Sequence, residues 1–295
     1  MVQKPSQLSI LSYRSGLSGL KMKHIPFRKI IARNLKKLLK YLRLVTKDFE
    51  FDDIHQFRIQ YKKLRAFLKC AQVLSSKTYV VRKWKRLKKI YKILGTFRDI
   101  QLQQQRILKE TSARHGVPYD YYNLLENKNK WVEEGCRSID ISDLNKAEYR
   151  TIKNIRQHVI SSSGKELYFK DSVRNKIKLD KPERLNDEDI HQVRKMLRDM
   201  VLLYKIIIHY KNVESYYLNE YKKRKKYFAG LLRTLGKFQD LCVAIRLADE
   251  THQVPLSQSS REFLSHQRSL WLKDKAELKA IILRNISKGI SLNSA

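Results

Sequence analysis

The sequence predicts an all-α fold built from an internal repeat, on three observations. Apolar residues recur at helical spacing through most of the chain, no stretch alternates apolar and polar residues between turn signals as a strand would, and the second half replays the first. The replay has three anchors in the same order. Asp53-Ile54-His55-Gln56-Phe57-Arg58 returns 136 positions later as Asp189-Ile190-His191-Gln192-Val193-Arg194. Leu94-Gly95-Thr96-Phe97-Arg98-Asp99 returns 141 positions later as Leu235-Gly236-Lys237-Phe238-Gln239-Asp240, and Trp131 matches Trp271 at an offset of 140.

The elements follow in order. Phe27, Ile30, Ile31, Leu35, Leu38, Leu39, Leu42 and Val45 share one helical face and predict a helix over 27–46. Two further helices are expected over about 53–75 and 78–94, the first entered through Asp53 as an acidic cap. Gly95 reads as the end of the second, since glycine takes the left-handed conformation past a last turn, and Thr96 with Asp99 reads as a capping box for a helix from Arg98 to Ala113. Gly116-Val117-Pro118 breaks that helix, and an amphipathic helix over 119–139 carries Tyr122, Leu125, Trp131, Glu133 and Glu134. A junction lies between Ser161-Ser162-Ser163-Gly164 and Asn186, with Pro182 inside it and a short helix over Leu167 to Ile177. The domain is expected over 23–288, with repeat one over about 23–142 and repeat two over about 143–288, between flexible tails at 1–22 and 289–295.

Charge singles out one stretch. From Ile54 to Arg98 there are fourteen Lys and Arg and no Asp or Glu, in a chain of 295 residues with formal net charge +34. His55, Arg58, Lys62, Arg65 and Lys69 stand at i, i+3, i+7, i+10 and i+14, within an arc of roughly 80° along about 21 Å of helix. Phe57, Tyr61, Leu64, Leu68 and Ala71 occupy a separate arc. Arg82, Lys85, Lys89 and Lys92 repeat the design on the next helix, opposite Val80, Trp84, Leu87, Tyr91 and Leu94. The second half keeps His191, Arg194, Arg198 and Lys205, then Lys223, Lys226 and Arg233, but has Val201 in the place of Arg65 and Gly230 in the place of Lys89.

A solvated face usually interleaves Glu with Lys, because like charges four apart repel. Arg58/Lys62, Arg65/Lys69, Lys85/Lys89 and Lys88/Lys92 have no acid between them, so these rails call for a polyanion. The aromatics of the first rails lie on the apolar arcs, which suits a phosphate chain without bases to stack, although a duplex held through its backbone needs no aromatics either. His55 and His191, near helix N-termini, are expected to be neutral hydrogen-bond donors.

Catalytic patterns are missing from the sequence. It holds no Gly-x-Ser-x-Gly, no His-Glu-x-x-His, no Glu-x-Glu-x-Lys and no paired carboxylates near the rails to hold Mg²⁺. Gly230 to Lys237 mimics a phosphate loop, but its spacing is wrong and it falls in a helix. Asp99 and Asp240 read as caps or as partners of a neighbouring arginine. No cofactor and no metal are expected. Cys70, Cys136 and Cys242 are too scattered for a disulfide framework or a zinc site, and no signal peptide or membrane span is read, so the expected location is the cytoplasm.

His55, Arg58, Lys62 and Arg65, together with Leu94, Gly95, Arg98 and Asp99, resemble the CHAD family, the conserved histidine α-helical domain. The resemblance spans about residues 22–288 and departs in the second copy at Val201, Gly230 and Gln239. It implies two similar four-helix bundles related by a pseudo-twofold, a basic channel or surface between them, and binding of inorganic polyphosphate without catalysis, with association with polyphosphate granules. The rival expectation is a protein that binds RNA or DNA through the phosphate backbone, and the third is a polyphosphate-processing enzyme.

Overall fold

Ile30, Ile31, Leu35, Leu38, Leu39, Leu42 and Val45 are all buried, so the stripe read from the sequence is the face on which the first helix docks. In this computed structural model the described residues are 27–75, 85–111, 116–138, 184–210, 216–251 and 253–291. They form seven helices: α1 (Phe27–Asp48), α2 (Phe51–Ser75), α3 (Lys85–Glu110), α4 (Tyr119–Arg137), α5 (Asp187–Tyr210), α6 (Tyr216–Asp249) and α7 (Gln258–Ser291). No strand occurs among the described residues, and none of their helices is long and apolar enough to cross a membrane. The short helix expected over Leu167 to Ile177 and the tail at 1–22 lie outside the described residues; of the tail expected at 289–295, residues 289–291 continue α7 and the rest lie outside.

α1 and α2 form a tight hairpin through Phe49 and Glu50. Phe49 takes a φ of 52° to make the turn, a conformation that costs a non-glycine residue about 1 kcal/mol or more. Its buried ring offsets that cost by packing 5.6 Å from the Phe97 ring, with the Arg137 guanidinium 4.9 Å from its centroid. α3 packs on α4, α5 on α6, and α6 on α7. Between the halves, α2 lies against α5 and α3 against α6, so the helices that carry matching motifs face each other.

Three expectations change. Gly95 does not end a helix: α3 runs unbroken from Lys85 to Glu110, no described glycine has positive φ, and Thr96 and Asp99 are mid-helix residues that cap nothing. Asp53 is not the capping residue, because α2 begins at Phe51, and its counterpart Asp189 likewise lies inside α5, which begins at Asp187. Asn186 caps α5, its side chain accepting from the Asp189 N–H while Asp189 accepts from the Asn186 N–H, a reciprocal capping box. Finally, Trp131 and Trp271 are not equivalent. Trp271 is 2% exposed and donates to Glu110 Oε2 at 2.9 Å, whereas Trp131 is 76% exposed, because the packed face of α4 is formed by Tyr121, Leu125, Asn129, Val132 and Cys136.

The core divides unevenly. One apolar cluster joins α1–α4 to the C-terminal part of α6 (Leu241, Ala244, Ile245, Ala248) and the N-terminal part of α7 (Phe263, Leu264, Trp271). The other joins α5 to Leu231, Leu235 and Phe238 of α6 and to Ile282 and Ile286 of α7. At 34 residues each, about 51 Å at 1.5 Å per residue, α6 and α7 are long enough to serve both clusters.

Candidate polyanion-binding centre

Gly95 makes room for Arg58. The guanidinium crosses from α2 to α3, donates through Nη1 to the Tyr91 carbonyl at 3.0 Å, and lies 4.7 Å from the centroid of the Tyr91 ring. A Cβ on Gly95 would come 3.3 Å from Arg58 Cζ and closer still to Nη1. Tyr91 is held in turn by stacking on Tyr61, with centroids 4.3 Å apart. The second half repeats the arrangement more loosely, with Arg194 Nη2 3.9 Å from the corresponding Cβ position on Gly236. The Leu-Gly-x-x-Arg-Asp segment is thus a helix face cut away to seat an arginine from its neighbour.

With Arg58 seated there, the helical spacing brings Lys62 to the junction of α2, α3 and α5. Burial first, and then Arg58, Arg198, Arg194 and Arg98, push its ammonium down to about 7. Arg58 and Arg98 come from the first half, Arg194 and Arg198 from the second, so cations of both halves surround one amine. No hydrogen bond or ion pair engages the Lys62 amine among the described residues. The His55 imidazole is lowered by burial, Arg98 and Lys62, against the opposing charge of Asp52, which keeps it neutral. Burial and Lys195 lower His191, which hydrogen bonds through Nδ1 to Gln239. Gln239 stands where the first half has Arg98, so the second copy has a neutral contact in place of a cation. His191 and Gln239 also border an open groove lined by Asp187, Glu188, Asp249, Glu250, Arg246 and Lys275, a surface of mixed sign.

Carboxylates accompany the arginines, and the two that do so come together only in the fold. α3 and α6 bring Asp99 and Asp240, 141 positions apart, into one electrostatic neighbourhood. Asp99 is raised by burial against the pull of Arg58 and Arg246, with Asp240 raising it further. Asp240 lies among Arg194, Arg106, Arg98 and Lys62. Tertiary packing thus sets two carboxylates among the arginines of the rails, where they balance guanidinium charge; no group of three or more metal-ligating side chains occurs among the described residues. A third acid, Asp199, joins α5 to α2: its Oδ1 is 3.6 Å from Arg65 Nη2 and 3.3 Å from Arg198 Nη2. Several donors are left over. Arg65 Nε, Arg98 Nη1, Arg106 Nη1 and Arg198 Nε are buried and find no acceptor among the described residues.

The remaining positions sort by exposure and by helix geometry. Lys92 is exposed and lies about 60° round α3 from Gly95, whereas Lys89, also exposed, lies about 120° away. Lys88, paired with Lys92 on the same helix, is only about 20° from Gly95 and is nearer the Arg58 side. Lys226 and Arg233 are exposed on α6. Lys69, Lys85, Lys205 and Lys223 fall on α2, α3, α5 and α6, but their side chains are outside the described set, and Arg82 lies outside the described residues altogether. Arg106, one helical stretch beyond Arg98, joins the site through Asp240 and was not singled out by any motif.

Comparison with known proteins bears on the family and the fold. The profile of the CHAD domain family matches residues 29–249. The crystal structure of the CHAD domain from the plant Ricinus communis superposes with a TM-score of 0.65 at 18% identity, covering 88% of this chain and 90% of that one. PptA from Streptomyces chartreusis superposes with a TM-score of 0.57 at 12% identity, covering 88% of this chain and 97% of that one. At such identities the two structures speak for the fold alone. No curated protein sequence matches at a significant level. With a family profile covering most of its length, an all-helical architecture and matching structures, the chain belongs to the CHAD domain family.

Proposed function

We propose that this protein binds inorganic polyphosphate, without catalysis, at the centre where α2, α3 and α5 meet. The carrying observation is the gathering of Arg58, Arg98, Arg194 and Arg198 around Lys62, with buried guanidinium nitrogens of Arg65, Arg98, Arg106 and Arg198 that meet no acceptor among the described residues. Such a site is costly alone, since like charges in partly buried surroundings repel, and it is relieved by a ligand that brings several negative oxygens at once. Phosphates would be held by His55, Arg58, Lys62, Arg65 and Arg98, and by Arg194 and Arg198 across the junction, with Lys92, Lys226 and Arg233 along the exposed approaches. The two repeats, related by a pseudo-twofold, would each supply one wall. Membership of the CHAD family supports this ligand. The Asp99 and Asp240 carboxylates are read as arginine partners, so no hydrolytic step is assigned to them.

The competing reading is a nucleic-acid backbone binder. A half-buried centre lined from both halves favours a thin chain over a duplex. The test is competition at physiological salt: protein loaded with long-chain polyphosphate is challenged with RNA and with duplex DNA at equal phosphate concentration. Retention of polyphosphate is the expected result, and displacement by either nucleic acid would overturn the assignment. Release of orthophosphate on adding Mg²⁺ would instead mark an enzyme.

A further inference from the structure

A second cationic surface lies one helix away from the centre. From Arg33 to Lys47, every exposed residue of α1 is Lys or Arg: Arg33, Lys36, Lys37, Lys40, Arg43 and Lys47. No acid occurs in α1 before Asp48. These six fall within an arc of about 120° and run for about 21 Å, at nearly the spacing of the cations on α2. Repulsion between neighbours such as Lys36 and Lys40 is uncompensated on the helix itself.

We propose that this face of α1 holds a further stretch of the same polyphosphate chain whose end or middle occupies the centre, so that long chains bind through two surfaces and short ones through one. This rests on the reading given under Proposed function. Three observations select the occupant. Every fully exposed side chain of the face is a cation, while the apolar groups beside them, Tyr41 and Leu44, are half-buried and Tyr41 lies under the Lys40 ammonium, 5.9 Å from its ring centroid, so a bare phosphate chain is the partner most complementary to what the face offers. α1 packs on α2, the helix that carries Arg58 and Lys62, so the stripe and the centre stand on adjoining helices. The apolar face of α1 is fully engaged in the core, so the lysines are presented on a fixed rod, and their engagement needs no refolding. A chain tethered at the centre meets the stripe at high effective concentration, and affinity then grows with chain length.

The test compares tripolyphosphate, much shorter than the stripe, with long-chain polyphosphate, in titrations of the wild-type protein and of the triple variant Lys36→Gln, Lys37→Gln, Lys40→Gln. All three side chains are exposed, and helical circular dichroism checks that the variant is folded. Long-chain affinity is expected to fall at least tenfold, with the slope of log affinity against log salt reduced by about 2 for three lost contacts to a single strand, while tripolyphosphate affinity stays within twofold. Equal affinity of variant and wild type for the long chain would overturn the proposal and make the stripe a solvated face. Loss of duplex DNA binding with polyphosphate binding intact would also overturn it and assign the stripe to nucleic acid. If the wild type binds neither polyphosphate, the reading of the centre itself falls, a result distinct from loss of chain-length dependence alone.

Discussion

Replacing the two matching glycines by alanine separates an arginine seat from ordinary helix propensity. In the interior of a helix, Gly→Ala is worth about 1 kcal/mol of stability. Gly236→Ala should realise that gain, because Arg194 Nη2 lies 3.9 Å from the new Cβ, an ordinary contact. At Gly95 the same methyl meets the Arg58 guanidinium, with Cζ only 3.3 Å away. Arg58 must withdraw, giving up its 3.0 Å bond to the Tyr91 carbonyl and its place over the Tyr91 ring. A hydrogen bond from a charged donor contributes about 1.5–3 kcal/mol. Set against the gain of about 1 kcal/mol, Gly95→Ala should cost about 0.5–2 kcal/mol net. Urea denaturation of the two single variants beside the wild type measures the contrast, and polyphosphate titration should show Gly95→Ala alone losing affinity as Arg58 moves. If Gly95→Ala stabilises the protein as much as Gly236→Ala does, Arg58 is not anchored by the cut-away face and the argument fails.

Other expectations follow from the same geometry. Asp199→Asn should lower stability by about 1–3 kcal/mol, since Arg65 and Arg198 lose a shared buried carboxylate, yet tighten polyphosphate binding by removing a competing anion; weaker binding would show that Asp199 positions the arginines instead. Lys62 sets a pH dependence. Its amine sits at about 7 in the free protein, and a bound polyanion raises it, so binding takes up a proton above that pH. Affinity should be nearly flat below pH 7 and fall by up to about tenfold per unit from 7 to 9. Titration of Lys62→Arg, charged throughout, should remove that fall, and an unchanged profile would assign it elsewhere. Trp271→Ala should cost about 3–5 kcal/mol, whereas Trp131→Ala should stay within about 0.5 kcal/mol by thermal unfolding.

The helices were legible because burial on an amphipathic helix leaves a periodic trace. The packed residues of α1 are those its spacing marks, and the cations of α2 and α5 keep the register that gathers them. What could not be read depends on neighbours. Gly95 looks like a helix end because the commonest use of such a glycine is past the last turn; its actual use, room for Arg58, appears only when α2 lies on α3. Asp99 and Asp240 carry no local sign that they share a site, being 141 positions apart. Trp131 and Trp271 look equivalent in sequence, but a shift in which side of the helix is packed buries one and exposes the other. The lysines of α1 carry a readable signal at the same spacing, but Asp48, Glu50, Asp52 and Asp53 separate them from the longer acid-free run that follows.

That both halves act on one ligand is tested most directly by removing cations from the second half alone. Short-chain polyphosphate is titrated into the double variant Arg194→Gln, Arg198→Gln, with helix content checked by circular dichroism. A loss of at least tenfold in affinity is predicted, because these guanidinium groups face Lys62 across the junction. Wild-type affinity in the folded variant would show that the first half binds alone and that the shared centre does not exist.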